Sequence, residues 1–233
     1  MTKIFEKDAY KKEIITKIKK IDKDNKSIEL EDTIFYAQSG GQPGDIGEII
    51  IKGVKIEVEN TIKSEGSIKN ILENVDGLEV NQEIEAKINW HKRYKYMRMH
   101  SALHLMCAVI PLSVTGGQIG FEKSRLDFND PNKEINKPEL EDKINAIMKN
   151  DHKIIYEYID SKILESQPEL VRTMSVKPPK IEGKLRFVKI GDIDFQPCGG
   201  THVKSTIEIG EITIGKIENK GKMNRRVNIL LND

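Results

Sequence analysis

The segment Met99-His100-Ser101-Ala102-Leu103-His104-Leu105 carries two histidines four residues apart. It lies in a run that we predict to be helical from about residue 89 to residue 110, ending before Pro111. Positions i and i+4 of a helix lie on one face, one turn apart. Both imidazoles can therefore reach one point in space, which makes this helix the predicted centre of a site.

A second pair of metal-binding side chains lies far downstream, in Pro197-Cys198-Gly199-Gly200-Thr201-His202. Cys198 and His202 are also four residues apart, but in a glycine-rich turn. Three imidazoles and a thiol form a nitrogen and sulfur set of the kind that Zn²⁺ prefers. We therefore predict one zinc ion per chain, with His100, His104, Cys198 and His202 as its ligands.

Each pair also has an interpretation as ordinary structure. A lone histidine on an apolar face is more often a hydrogen-bonded core residue than a ligand, and either pair alone is a weak signal. Both pairs together favour a metal, because the chain has only five histidines and two cysteines. Cys107, three residues after His104, is either a further ligand or a small buried side chain, and we expect the second.

Two common zinc motifs do not fit this spacing. The helix lacks the glutamate of His-Glu-x-x-His and so carries no built-in general base. Structural zinc knuckles draw their ligands from close spacings, whereas the two pairs here lie far apart. A metal that joins distant elements suits the floor of a pocket, where it can lower the pKa of a bound water or hold a substrate amine or carbonyl.

Composition bounds the class of protein. The chain has 233 residues, a formal net charge of +1 and 32% charged residues, as expected of a soluble globular protein with one large or two small domains. A near-neutral chain has no overall positive charge that would attract nucleic acid, so only local basic patches could bind it. The sequence lacks a membrane-spanning apolar run and the apolar region of a signal peptide, so we expect a cytoplasmic protein.

The pattern of strands and helices predicts an α+β fold in two domains. Residues 1–88 contain many short strands separated by glycine and Asx turns, which predicts a small β-barrel, with a sandwich as the alternative. Residues 89–233 combine the histidine helix, a second helix from Pro138 to about Lys149 and several strands. Since these do not alternate regularly, we predict a largely antiparallel sheet, and a loop at residues 175–179.

Residues 35–47 form a glycine-rich segment within the first domain. The segment has no Gly-Lys-Ser/Thr sequence and no strand-turn-helix context, so it is neither a Walker loop nor a dinucleotide fingerprint. Its glycines indicate sharp turns and close approach of the backbone. Read alone, the segment is more typical of a structural loop than of a site.

Two basic segments are hypothesised to contact RNA. The first begins the histidine helix and interleaves cations with aromatic residues, and the second lies near the C-terminus. Phosphates need cations, and unpaired bases stack on aromatic faces. The alternative is a solvated helix face with tyrosines in the core. The hypothesised contacts are Lys92, Arg93, Lys95, Arg98, Lys220, Lys222, Arg225 and Arg226.

Taken together, these motifs resemble the editing domain of alanyl-tRNA synthetase and its free-standing relatives, the AlaX proteins. Residues 35–47 are similar to the glycine-rich motif of the longer AlaX form, which carries an N-terminal β domain. The related editing domain of threonyl-tRNA synthetase has Arg-Gly-Pro where this chain has Gly199-Gly200-Thr201. The matching segments are the HSALH helix, Arg125-Leu126-Asp127-Phe128, Cys198-Gly199-Gly200-Thr201-His202-Val203, Thr206-Ile207-Glu208-Ile209-Gly210 and residues 220–226.

The resemblance implies trans-editing, the hydrolysis of the ester that joins a wrong amino acid, serine or glycine, to the tRNA for alanine. An alanine pocket cannot exclude glycine and rejects serine only weakly, so a second site must remove the errors. By position after the zinc helix, Thr115 is expected to bind the serine hydroxyl, with Gln118 next. The glycine-rich resemblance adds Gly40, Gly41 and Gln42 as substrate-binding candidates. The water is activated by zinc, or zinc anchors the aminoacyl group while a ribose hydroxyl assists.

Two other functions stay open at this stage. A zinc-dependent hydrolase of a small ester or amide would keep the ligands but would need no basic patches. An RNA-binding module with a structural zinc would have all four coordination positions filled and no turnover. We expect no resemblance to a class II aminoacylation core. The oligomeric state, a monomer or a weak dimer, and the choice between serine and glycine are not readable from the sequence.

Overall fold

The computed structural model describes residues 1–172 and 183–232. The fold is mixed α and β with mostly antiparallel strands, as predicted. Its contacts divide the chain into two compact units, Met1–Lys95 and Tyr96–Asp233. The loop predicted at residues 175–179 lies outside the described residues. In the part of the chain that the structure describes, no helix is long and apolar enough to cross a bilayer.

A closed barrel of six antiparallel strands forms most of the first unit. Along the strand Glu13–Asp22, the buried residues Thr16 and Ile18 alternate with exposed ones, the period of two that a half-buried strand requires. The barrel interior is filled by aliphatic side chains such as Ile28, Leu30 and Ile49. In barrel order, the strands are Glu13–Asp22, Ser27–Leu30, Ser67–Leu72, Val54–Ser64, Gly47–Ile51 and Glu83–Ile88.

Two smaller elements complete the first unit. The strands Thr2–Lys3 and Asp32–Thr33 form a short parallel pair, and a 3-10 helix covers Ile4–Glu6. The glycine-rich segment makes a tight turn in which Ser39 and Gln42 exchange two backbone hydrogen bonds of 3.1 and 2.9 Å. The two central residues of the turn have φ angles of 57° and 82°, a left-handed conformation that favours glycine.

Helix α1, Trp90–Val109, is the predicted histidine helix. The side chain of Asn89 accepts a hydrogen bond of 3.1 Å from the backbone N–H of Lys92, which satisfies one of the free donors at the helix start. Residues 99–107 are all buried, which accounts for apolar side chains on every face of this part of the helix. The division between the two units falls within α1.

The second unit contains two antiparallel sheets and a second long helix. Helix α2, Lys137–Lys149, begins after the N-cap Asn136; of the apolar stripe that its periodicity predicts, Leu140, Ile144 and Met148 are buried and Ile147 is half-buried. The four-stranded sheet has the order Ile212–Lys220, Asn224–Leu231, Ser124–Asn129, Val114–Gln118, and the three-stranded sheet has the order Ile154–Asp160, Lys184–Ile190, Asp194–Pro197. The short helix α3 covers Ile163–Ser166, and 3-10 helices cover Pro168–Leu170 and Thr206–Ile209.

Candidate metal centre

The four predicted ligands lie together in the second unit. The ligand atoms of His100, His104, Cys198 and His202 are all within 4.8 Å of one another. The Sγ atom of Cys198 lies 3.6 Å from Nε2 of His100 and 3.3 Å from Nε2 of His202. Tetrahedral zinc with bonds of about 2.3 Å to sulfur and 2.0 Å to nitrogen separates S and N by about 3.5 Å. These residues therefore fit a tetrahedral metal ion and could hold one.

The two elements that supply the ligands differ in secondary structure. His100 and His104 project from one face of α1, and their ring centroids are 5.2 Å apart, as the i, i+4 spacing predicts. Cys198 and His202 lie in a segment without regular secondary structure, between the strand Asp194–Pro197 and the next 3-10 helix. Side-chain contacts must therefore hold this loop in place.

Arg186 and Tyr156 hold the loop from the three-stranded sheet. Nη1 of Arg186 donates hydrogen bonds of 2.8 Å to the carbonyl oxygens of Cys198 and of Gly200. The guanidinium lies over the Tyr156 ring at 3.6 Å from its centroid, a cation–π contact. The Tyr156 hydroxyl in turn accepts a hydrogen bond of 3.2 Å from the backbone N–H of His202. These contacts order the loop so that both of its ligand side chains face α1.

Further side chains contact the histidine rings from outside the cluster. Nδ1 of His104 lies 2.8 Å from Oδ2 of Asp194. The same carboxylate oxygen accepts a hydrogen bond of 2.9 Å from Nε2 of Gln196. Nδ1 of His202 lies 3.2 Å from the hydroxyl of Ser101. In both rings it is thus Nε2 that is left to face the other members of the cluster.

Burial and mutual contacts shift the pKa values of the cluster strongly. Burial alone would lower the pKa of His104, but its hydrogen bonds with Asp194 and Cys198 raise that pKa to about 10. Burial would raise the pKa of the Cys198 thiol, but the neighbouring imidazoles of His100 and His202 hold it well below its ordinary value. Burial and the charge of His100 keep the pKa of His202 well below its usual range. The cluster therefore favours a thiolate, the form that binds metal ions.

These shifts predict an alkaline loss of stability in the metal-free protein. The contribution of His104 is complete below its unfolded pKa of 6.5 and is lost as the pH rises through its folded pKa of about 10. Cys198 has the opposite slope up to its unfolded pKa of 9.0, so the two contributions offset each other below that pH. Above pH 9 the stability falls through His104, by at most about 1.4 kcal/mol per pH unit, and through the buried thiol of Cys107, whose folded pKa of about 12 exceeds its unfolded value of 9.0. Urea unfolding of chelator-treated protein at pH 9 and at pH 10 measures this fall in the free energy of unfolding.

A variant isolates this contribution from other groups that titrate in the same range. His104→Gln removes the imidazole and should flatten the fall in unfolding free energy between pH 9 and 10 by about 1 kcal/mol. Equal falls in the variant and the wild type would show that His104 does not hold a proton in this range.

Cys107 lies outside the cluster of four. The residue is buried, and burial raises the pKa of its thiol to about 12. A thiol with so high a pKa gives little thiolate, which is the form that ligates metals. This agrees with the expectation of a small buried side chain.

The predicted specificity residues lie in the four-stranded sheet. The hydroxyl of Thr115 can donate its proton to the carbonyl oxygen of Asp127, 3.1 Å away, or to Oδ1 of Asn224, 3.2 Å away. Because a hydroxyl has one proton and two lone pairs, its oxygen can still accept a hydrogen bond. Gln118 is exposed at the end of the same strand, opposite Arg125.

The candidates in the glycine-rich segment have unequal exposure. Gly40 and Gly41 are exposed at the tip of the turn described above. The side chain of Gln42 is only 1% exposed, so it serves the packing of the first unit. Of the three, the two glycines offer backbone that a ligand can approach.

The structure corrects one of the hypothesised RNA contacts. Arg93 is completely buried in the first unit, where its guanidinium forms an ion pair with Asp45. It also donates hydrogen bonds of 2.8 and 2.6 Å to the carbonyl oxygens of Ala9 and Ile34. Because solvent cannot reach this guanidinium, we remove Arg93 from the set that contacts RNA.

The remaining basic residues are partly or fully exposed. Lys220 and Lys222 are exposed at the turn between the last two strands, and Lys220 pairs with Glu218 at 3.0 Å. Arg226 is half-buried and bound to the carboxylate of Asp127, which raises the pKa of the guanidinium. The half-buried members of the set are Lys92, Lys95, Arg98, Arg225 and Arg226.

The residues that surround the ligands were not predicted from the sequence. Nothing in the local sequence marks Ser101, Asp194 or Arg186 as partners of the cluster. The CGGTH segment itself was the only available signal, because a glycine-rich loop that carries two ligands needs side chains from elsewhere to order it.

Two family models match the chain. One is described as "Threonyl and Alanyl tRNA synthetase second additional domain" and matches residues 185–228, which include the strand with Arg186 and the Cys198–His202 loop. The other is described as "tRNA synthetases class II (A)" and matches residues 2–92. The second match lies in the first unit, Met1–Lys95.

Relatives that match most of this chain agree with these family models. The chain is 34% identical to alanyl-tRNA editing protein AlaX-M of Methanosarcina acetivorans, over 97% of each chain. It is 35% identical to AlaX-M of Saccharolobus solfataricus, over 96% of each chain. It is 36% identical to AlaX-L of Pyrococcus horikoshii, over 94% of this chain and 55% of that protein.

Proposed function

Because the chain belongs to the AlaX family of alanyl-tRNA editing proteins, we propose that it is a hydrolase that deacylates mischarged tRNA(Ala) in trans. The proposed main substrate is Ser-tRNA(Ala), with Gly-tRNA(Ala) as a second substrate, while Ala-tRNA(Ala) is spared. The proposal is supported above all by the convergence of three imidazoles and one thiol in the second unit. We place this activity in the cytoplasm, where tRNA is charged.

The proposed metal is Zn²⁺, one per chain, held by His100, His104, Cys198 and His202. When bound, zinc supplies Lewis acidity toward the ester carbonyl or lowers the pKa of a water molecule. The chain contributes the thiolate of Cys198 and the buried imidazoles around it. We assign no protein side chain the role of general base, because the cluster's own imidazoles are required as ligands.

Thr115 is the proposed specificity residue. Its hydroxyl proton is directed at the carbonyl oxygen of Asp127 or at Asn224, and the lone pairs of its oxygen have the chemistry to accept a hydrogen bond from the hydroxyl of a serine ester. An alanine ester has no hydroxyl, and its methyl group would leave that acceptor unmatched. The site would then favour the serine ester over the alanine ester by the free energy of one hydrogen bond.

Thr115→Val is expected to weaken this preference. Valine keeps the shape of threonine but cannot accept a hydrogen bond, so deacylation of Ser-tRNA(Ala) should slow by about 10-fold while the slow rate on Ala-tRNA(Ala) changes little. The preference is measured as the ratio of the deacylation rates on Ser-tRNA(Ala) and Ala-tRNA(Ala), each determined at a subsaturating enzyme concentration. Thr213→Val, the same change on another strand of the four-stranded sheet, is the matched control and should keep the preference of the wild type. A Thr115→Val protein with the wild-type ratio would move the specificity role elsewhere.

The tRNA itself is proposed to bind through the exposed and half-buried cations. Lys220 and Lys222 are the strongest candidates, because they are exposed at the turn of the terminal hairpin. Phosphate contacts release counterions, so binding should weaken steeply as salt rises. The proposed contacts are Lys92, Lys95, Arg98, Lys220, Lys222, Arg225 and Arg226. The proposed tRNA binding needs no assembly larger than a monomer or a weak dimer. It involves no membrane.

The decisive experiment is deacylation of tRNA(Ala) charged separately with serine, glycine and alanine. Loss of serine with alanine retained would support editing. No loss of any ester, from protein that binds zinc stoichiometrically, would contradict editing and favour an RNA-binding module with a structural zinc. Equally fast cleavage of a small serine ester without tRNA would favour a hydrolase that does not recognise RNA.

A further inference from the structure

We propose that Asp194 and Ser101 are positioning residues that determine which ring nitrogen of His104 and His202 faces the metal centre. The inference rests on the proposed function, because it presupposes the metal. It adds residues that touch neither metal nor substrate and that act through the two histidines.

Asp194 fixes the ring of His104. Its carboxylate is 4% exposed, and its Oδ2 lies 2.8 Å from Nδ1 of His104. An ionised carboxylate can only accept hydrogen bonds, so Nδ1 must carry the proton in this contact. Gln196 donates to the same oxygen at 2.9 Å and holds the carboxylate in this orientation. His104 is then left with Nε2 toward the cluster, where its lone pair can bind a metal.

The second oxygen of Asp194 gives an independent indication. Oδ1 is buried and has no hydrogen-bond partner among the described residues. A buried carboxylate with an unmatched oxygen is costly unless positive charge lies nearby. A divalent cation bound to His104 would supply that charge through the imidazole. The carboxylate is therefore better matched to a loaded centre than to an empty one.

Ser101 fixes the ring of His202 by a different arrangement. Its hydroxyl donates its single proton to the carbonyl oxygen of Met97 at 2.9 Å, and it accepts a hydrogen bond of 3.3 Å from the backbone N–H of Val203. Toward Nδ1 of His202, 3.2 Å away, the hydroxyl oxygen can then act only as an acceptor. The proton of this ring therefore lies on Nδ1, and Nε2 faces Cys198.

The two contacts also join separate elements of the second unit. Ser101 lies on α1, directly after His100, and reaches the ring and backbone of the loop. Asp194 lies at the start of the strand Asp194–Pro197 and reaches back to α1. Each ligand element is thus oriented by a residue of the other part of the site, so the rings need little rearrangement when metal binds.

Zinc affinity tests the proposal. Purified full-length wild type, Asp194→Ala and Ser101→Ala are titrated with zinc against a chromophoric chelator of known affinity. We expect the dissociation constant to rise 10- to 100-fold in each variant, as is typical when an outer partner of a metal-binding histidine is removed. Asp194→Asn keeps an acceptor oxygen without the charge, so its dissociation constant for zinc should lie between those of the wild type and Asp194→Ala. Asp192→Asn, two residues away and exposed, is the matched control and should bind as the wild type does.

A second readout separates positioning from a general loss of structure. In zinc-loaded wild type, long-range ¹H–¹⁵N correlations should place a proton on Nδ1 of both His104 and His202. In Ser101→Ala, the Nδ1 proton of His202 should exchange faster with solvent while that of His104 is unchanged. A lower melting temperature with unchanged zinc affinity and unchanged exchange would overturn the proposal and leave the proposed function intact. Wild type that binds no zinc would instead refute the metal centre on which the proposed function depends.

Discussion

His104→Ala should lower the rate of Ser-tRNA(Ala) deacylation by at least about 100-fold. Loss of an outer partner of a metal-bound histidine already costs up to about 100-fold in affinity or activity, and loss of a ligand itself costs more. His104 is also the imidazole that contacts Asp194, so the substitution removes a hydrogen-bond donor from a buried carboxylate and leaves it the amide of Gln196. The metal and the ordered carboxylate would be lost together.

The measurement is a single-turnover deacylation assay, run beside the metal content of the purified variant. His91→Ala is the matched control, because His91 lies on the same helix but is exposed and outside the cluster. We expect wild-type rate and metal content in His91→Ala, and loss of both in His104→Ala. A fully active His104→Ala protein would refute the proposed centre, whatever its metal content.

Arg93→Ala should destabilise the protein by about 3–5 kcal/mol, the usual cost of removing one partner of a buried ion pair. Arg93 and Asp45 are both buried, so alanine at position 93 leaves the carboxylate in the core without its counterion. The carbonyl oxygens of Ala9 and Ile34 lose their donors at the same time. This change should reduce stability far more than any substitution of an exposed lysine.

Urea unfolding of the full chain measures the effect. Lys92→Ala, at the neighbouring half-buried position, is the control and should stay within about 0.5 kcal/mol of the wild type. The double variant Arg93→Met with Asp45→Leu removes both charges and should recover much of the loss, because apolar replacements of a buried ion pair are often well tolerated. A stable Arg93→Ala protein with weakened tRNA affinity would instead restore Arg93 to the RNA-binding set.

Local sequence was sufficient to predict the elements that carry the ligands. Helix α1 follows from its run of helix-forming residues and the stop at Pro111, and the spacing of His100 and His104 then places both on one face. The start of α2 near Asn136 or Lys137 and its apolar stripe also follow from capping and periodicity, which act within a few residues. The strands of the barrel were recognisable, since alternation of buried and exposed residues is likewise local.

Near-neighbour patterns thus identified the helices and strands and the four side chains able to bind a metal. Contacts between distant segments bring the four together, let Arg186 and Tyr156 order the loop between Cys198 and His202, and place Asp194 against His104. The same long-range contacts make Arg93 a buried partner of Asp45, although in sequence it resembles its half-buried basic neighbours. The physical reason is that burial and hydrogen bonding depend on contacts between distant segments, whereas periodicity and capping depend only on near neighbours.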